Sequence, residues 1–186
     1  ASGCYGHEFI QTPNIDKFAS ESTLFTNAFV TCPVCSPSRS AIISGRYQTS
    51  IGAHNHRSNR DTPLPEDIRL ITDYFRDAGY YTCNSPGPPF AKPGKTDFNF
   101  HREGVFDGID WTERAEGQPF YAQNNITDTH RDFTPDPDNP IDPKAVELPP
   151  YYPDHPLVRK DWAMYLESVQ VFDRKVGQVL QRLEDE

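Results

Sequence analysis

Apolar residues recur along this chain in two rhythms, which sort most of it into helices and strands. The clearest run is the last. Trp162, Tyr165, Val169, Phe172, Val176, Val179 and Leu183 return at steps of three and four, with acids, Lys and Arg between them. That spacing predicts a long amphipathic helix whose apolar stripe needs a sheet or another helix to cover it. Thr12-Pro13 followed by Ile15, Phe18 and Ala19 predicts a short helix, capped by Thr12 and opened by Pro13. Pro65 with Ile68, Ile71, Tyr74 and Phe75, closed by Gly79, predicts another. Thr23 to Val30 is rich in β-branched and aromatic residues and reads as an extended segment. Tyr80 to Cys83 reads as a strand directly after the Pro65 helix, and Gln118 to Ala122 as a strand end. A helix leading straight into a strand is the αβ unit from which parallel sheets are built. Residues 104–116 are assigned only to a loop or short strand. Residues 132–156, rich in acids and prolines, are expected to make an extended surface excursion. Asp136, Asp138 and Asn139 lack the central glycine and unbroken register of a calcium loop.

Composition narrows the function classes. The 186 residues suffice for one core, yet hydrophobic residues make up only 35% and there are 18 prolines, with 12% aromatics keeping the chain out of the disordered class. The mean hydropathy is -0.72. A formal net charge of -9 argues against nucleic acid or an anionic membrane as the main ligand. An enzyme acting on anions would have to concentrate positive charge locally. No apolar run reaches the ~18 residues of a membrane span, and no secretory leader pattern is visible. Ala1 opens in mid-pattern and Glu186 closes on the last helix, so the chain is expected to be an internal piece of a longer domain.

The chemistry concentrates between Thr31 and Arg46, TCPVCSPSRSAIISGR. Ser36 as N-cap, Pro37 in the first turn, the apolar run Ala41-Ile42-Ile43 and Gly45 just past the end predict a short helix with Cys35 at its N-terminus. Free N–H groups and the positive end of the helix dipole favour a thiolate or a bound oxyanion there. Arg39, one turn on, can lean toward the same anion as a forked, permanent cation. Cys32-Pro33-Val34-Cys35 is also a C-x-x-C, but no thioredoxin-like strand and long helix flank it, and two cysteines are too few for a tetrahedral zinc site. A small buried Cys35 would leave Arg39 unexplained.

Cys35-Ser36-Pro37-Ser38-Arg39 followed by Gly45-Arg46 resembles the signature of the type I, formylglycine-dependent sulfatases of the alkaline phosphatase superfamily. The order of the Thr12-Pro13 helix, the Phe25-Thr26-Asn27-Ala28 segment and the Cys35 motif resembles the same family. The resemblance implies an α/β fold with a mixed, mainly parallel sheet flanked by helices. It places residues 1–186 as the N-terminal part of a catalytic domain, truncated at both ends. It further implies that Cys35 is oxidised to Cα-formylglycine, a nucleophile that also ligates the metal, and that Arg39 holds its hydrate. Calcium is the implied metal, with magnesium the second choice, and the remaining ligands are expected outside this chain.

Gly94-Lys95-Thr96-Asp97 resembles the family's G-K-x-H element. Lys95 matches the sulfate-contacting lysine, whereas Asp97 stands where the family usually has histidine. As a substrate-site residue, a carboxylate there could act as a general base toward the hydrate, but it would repel sulfate unless protonated or paired, for example with Lys95 or Lys92. His130 occupies the place of the histidine that faces the leaving-group oxygen. His54, in the polar loop with His56, Arg57 and Arg60, is a candidate substrate contact. The implied reaction is hydrolysis of sulfate esters or sulfamates on a sulfated carbohydrate. The heparan N-sulfatase-like branch is suggested by GKTD and the HNHR loop. Implied partners are a formylglycine-generating or sulfatase-maturating enzyme and a sulfated small molecule or glycan. The implied compartment is the periplasm, the lysosome or the exterior, and the 186-residue piece alone is expected to be inactive. Two alternatives stand: a phosphohydrolase of the same superfamily, whose nucleophile would normally be serine or threonine, and a non-catalytic carbohydrate-binding homologue that leaves Cys35 unmodified.

Overall fold

The computed structural model describes residues 2–186. Its elements in chain order are α1 (Pro13–Ser20), α2 (Cys35–Ser44), α3 (Ile71–Asp77), β1 (Tyr81–Ser85), β2 (Phe120–Asn124) and α4 (Pro156–Glu184), with 3-10 turns at Gly3–Tyr5 and Trp111–Glu113. They fall into two compact units, one of Asn27–Asn125 and one joining the chain up to Thr26 with Ile126–Glu186.

In the Asn27–Asn125 unit, β1 and β2 pair in parallel from Tyr81 opposite Phe120 to Ser85 opposite Asn124, as expected of an α/β chain. Gly108 bridges to Cys83 in the same sense. Below the loops lies a core of Ile43, Ile51, Ala53, Leu64, Leu70, Phe98, Phe100 and Val105. Phe98 and Phe100 stack with centroids 5.4 Å apart, and the buried Trp111 stacks on Phe120 at 5.5 Å. These rings supply the apolar contact area that a proline-rich chain otherwise lacks.

Several expected boundaries move, each for a local reason. α3 starts at Ile71 rather than Pro65 because the Asp73 carboxylate accepts the Leu70 N–H at 2.9 Å and fixes the first turn there, while Pro65 to Ile68 closes a separate turn. The Thr23–Val30 segment forms no strand: Phe25, Phe29 and Val30 are exposed, and strand propensity needs a partner edge to act on. α4 opens at Pro156, ahead of the apolar stripe, because the His155 ring nitrogen accepts the Leu157 N–H and Pro156 suits the first turn.

The second unit is organised by α4. Ala163, Leu166 and Val169 pack against Ile10 and Val146. The fully buried Asp173 accepts from Ile15 N at 2.8 Å, Asn14 N at 3.3 Å and Asn14 Nδ2 at 2.7 Å, so a carboxylate of one helix caps the N-terminus of another. The 132–156 excursion is not purely superficial. Asp136 is fully buried, held bidentately by Arg174 at 2.8 and 2.9 Å and by Gln170 at 3.1 Å, and Val146 enters the core. No helix among the described residues is long and apolar enough to cross a membrane.

Candidate active site

Cys35 is the first residue of α2, preceded by Val34 as N-cap in extended conformation. Ser36 is therefore not the cap. The Ser38 N–H already donates to Val34 O at 3.0 Å and Pro37 has no N–H, so the donors left to face an anion are those of Cys35 and Ser36. The other end is as the sequence suggests, with Gly45 left-handed at φ 63°.

The buried face of α2 is a ladder of serines. Ser40 Oγ donates to Ser36 O at 2.7 Å and Ser44 Oγ to Ser40 O at 2.6 Å, while Ile42, from the apolar run, is exposed. Small side chains let two loops approach closely. Ser40 Oγ accepts Asn99 N–H at 2.9 Å, and Ser36 Oγ accepts Arg57 N–H at 2.9 Å and lies 3.1 Å from His56 Nδ1. Serine instead of leucine on this face thus docks both the histidine-arginine loop and the GKTD loop onto the helix that carries Cys35.

Cys35 is half-buried and lines a groove of about 550 Å³ with Arg39, Ser38, Cys32, Tyr121, Gln123 and others. The thiols of Cys4, Cys32 and Cys35 are not in disulfides. Arg39 Nη1 donates to the Lys95 carbonyl at 3.1 Å, which ties the GKTD loop to α2. In the same unit, Asp97 has a side chain only 5% exposed and gathers three cations. Arg57 meets it bidentately at 3.0 and 3.2 Å, Lys95 Nζ lies 3.4 Å away, and Arg60 donates to it as well. Burial pushes the Asp97 carboxyl up, but hydrogen bonds from Arg57, Arg60 and Lys95 outweigh it and bring the pKa down to about 2. Asp97 is thus an ionised, paired carboxylate, with the arginines as well as Lys95 as partners.

The structure brings Cys35, Arg39, Lys95 and Asp97 into one unit. His54, in that unit, is exposed and lines neither the Cys35 groove nor the cavity beside Lys95. His130 belongs to the other unit, exposed in a turn. Its Nδ1 lies 2.5 Å from the Arg131 carbonyl, which can only accept, so Nδ1 holds the proton and Nε2 is the nitrogen left to exchange one. Arg60, Ser36 and Asn84 escaped sequence reasoning. The crowding of His54, His56, Arg57 and Arg60 was the available signal for the first, but nothing local marks a serine as a loop anchor or an asparagine as a cavity wall.

Among the described residues no three His, Cys, Asp or Glu side chains converge on a point that could hold a metal ion. By themselves they do not fit a calcium ion.

A family model described as Sulfatase matches residues 1–186. An ulvan-active sulfatase of Formosa agariphila is 29% identical over 236 aligned residues, covering 98% of this chain and 38% of that protein. Human iduronate 2-sulfatase is 37% identical over 82 residues, covering 44% of this chain and 15% of its own. The chain therefore spans well under half the length of these relatives. Among solved structures, the phosphonate monoester hydrolase of Agrobacterium radiobacter superposes with a TM-score of 0.67 at 17% identity, over 98% of this chain and 56% of that one. A Bacteroides thetaiotaomicron protein from a study of glycosaminoglycan metabolism gives 0.63 at 20%, over 95% and 51%. Likeness at this identity concerns the fold alone.

Proposed function

The chain belongs to the sulfatase family, and from that premise we propose that the protein carrying it hydrolyses sulfate esters or sulfamates on a sulfated carbohydrate with a nucleophile made from Cys35. The observation that carries this reading is the position of Cys35: half-buried at the first turn of α2, on a groove it shares with Arg39. The names of the relatives, an ulvan-active and an iduronate 2-sulfatase, support a sulfated glycan as the substrate class.

Oxidised to formylglycine by a maturating enzyme, Cys35 would supply a hydrated aldehyde, one hydroxyl displacing the sugar from sulfur and the other losing its proton to expel sulfate and restore the aldehyde. A serine or thiol has no second hydroxyl on the same carbon and could not release sulfate this way. The residues of the chain do the rest. The Cys35 and Ser36 N–H groups and the Arg39 guanidinium, steadied by the Lys95 carbonyl, stabilise negative charge at the nucleophile. Lys95 offsets charge on the sulfuryl oxygens, and its pairing with Asp97 keeps the ammonium on a short tether. The family resemblance gives His130 the role of proton donor to the departing oxygen or nitrogen, and its Nδ1, engaged on the Arg131 carbonyl, leaves Nε2 for that exchange. A calcium ion would need ligands besides Cys35 that the described residues do not gather. The proposed compartment is periplasmic, lysosomal or extracellular.

The tryptic peptide between Lys17 and Arg39 carries Cys35 and tests the reading. In material that releases sulfate, its mass as the dehydrated aldehyde should be roughly 18 Da below that of the cysteine form, since sulfur and two hydrogens give way to one oxygen. An unmodified Cys35 in such material overturns the proposal.

A further inference from the structure

The cavity beside Lys95 holds more positive charge than its own chemistry requires. Within the Asn27–Asn125 unit it encloses about 830 Å³, the size of a saccharide-binding pocket, with Arg57, Arg60, Lys95 and Asp97 on its wall. One carboxylate is balanced by one cation, yet Asp97 has three. Two positive charges are left over in a chain whose net charge is -9. Both guanidinium groups are about half exposed, at 46% and 47%, so they are anchored on one side and open on the other. Fixing a guanidinium in advance lowers the entropy lost when it meets a ligand oxygen.

A second observation on the same wall also points to a ligand. Asn84, on β1, is 3% exposed, and neither its side-chain oxygen nor its amide nitrogen has a hydrogen-bond partner. A buried amide left unpaired on both atoms forfeits the hydrogen bonds that water gave it, so a ligand that supplies them offsets that loss. Gly94 packs so closely that a Cβ there would meet the Asn84 side chain and lie 2.6 Å from the Ser85 carbonyl, so the loop that carries Lys95 is seated directly over this residue. An amide satisfied by a group that both donates and accepts, next to surplus cations, suits a sugar hydroxyl beside an anionic substituent.

We infer that this cavity is a subsite for a second anionic group of the glycan, a carboxylate or a sulfate ester other than the one attacked at Cys35, with Arg57 and Arg60 reading its charge and Asn84 an adjacent hydroxyl. This rests on the reading that the substrate is a sulfated carbohydrate, and it narrows that class to saccharides carrying at least two negative groups. Asp97 is then a positioning residue that holds the two guanidinium groups and Lys95 together.

The test uses the protein carrying this chain with Cys35→Ala, so that nothing turns over, and reads dissociation constants by titration calorimetry. The probes are a disaccharide bearing one sulfate ester and one uronate carboxylate, the same disaccharide with its carboxylate reduced to an alcohol, and its disulfated counterpart. Both dianionic probes should bind at least about tenfold more tightly than the reduced one, as expected for loss of one charge-assisted contact. Arg60→Gln should reduce that preference at least about threefold, Arg57 holding the remainder, while leaving affinity for the reduced probe within about twofold. Equal affinity of the unaltered cavity for the three probes overturns the inference, and so does a preference undiminished in a folded Arg60→Gln protein. If Arg60→Gln does not fold, the three-probe comparison decides alone. Because Cys35 is absent throughout, failure of the formylglycine mechanism leaves this outcome untouched, and the two proposals fall separately.

Discussion

Replacing Asp97 by asparagine removes one charge from a buried hub and little else, because Asp97 sits at φ 39°, a left-handed conformation that asparagine tolerates and alanine does not. Its pKa falls from the ordinary 3.8 to about 2, a difference worth roughly 2 kcal/mol of linkage free energy. The guanidinium partners are half exposed, so solvent screening reduces the expected contribution to about 1–2 kcal/mol. The sign follows from the direction of the shift. A carboxyl whose folded pKa is depressed adds stability above pH 3.8, and that stability is lost as the pH falls toward 2. Urea unfolding followed by circular dichroism, at pH values between 7 and 2.5, should show the parent more stable than Asp97→Asn by about 1–2 kcal/mol at neutral pH, the gap narrowing steadily below pH ~4. A gap that stays constant across that range, or no gap at pH 7, would refute the argument that Asp97 is an ionised partner of the three cations.

Substitutions at two further positions probe how the site and its support are held. Ser40→Ala should destabilise the Asn27–Asn125 unit by about 1–3 kcal/mol in urea, because the Asn99 N–H loses its buried acceptor, and Ser40→Gly should not recover the loss. Asp173→Ala should fray α1, with faster hydrogen exchange at Asn14 and Ile15, since both amides donate to that carboxylate; unchanged exchange there would disprove the cap.

Much of the fold can be read from the chain because its signals are local. The apolar stripe of α4, the Pro13 start of α1 and the Gly45 end of α2 depend on neighbours one turn away, and so does the helix-to-strand passage into β1. The errors come from contacts that sequence spacing cannot show. α3 begins late because a side chain three residues on caps its first N–H, and α4 begins early because a histidine acts as its cap. The Thr23–Val30 segment, read as extended, has strand composition but pairs with no strand among the described residues. The site divides in the same way. Cys35, Arg39 and Lys95 are visible because they fall in motifs, and so is the Lys95 partner of Asp97, while its two arginine partners come from a loop some forty residues earlier in the chain, and only folding unites them. Ser36 has the composition of a cap but is used as an anchor for Arg57, a role fixed by tertiary approach rather than by helix grammar.

The most direct trial of the central claim is release of inorganic sulfate from a sulfated glycan by the matured protein that carries this chain, compared with the same preparation bearing Cys35→Ala. If the side chain at the head of α2 becomes the nucleophile, the variant should fold and bind normally yet release no sulfate above the uncatalysed background. Sulfate release at the parent rate from the alanine variant would contradict the account.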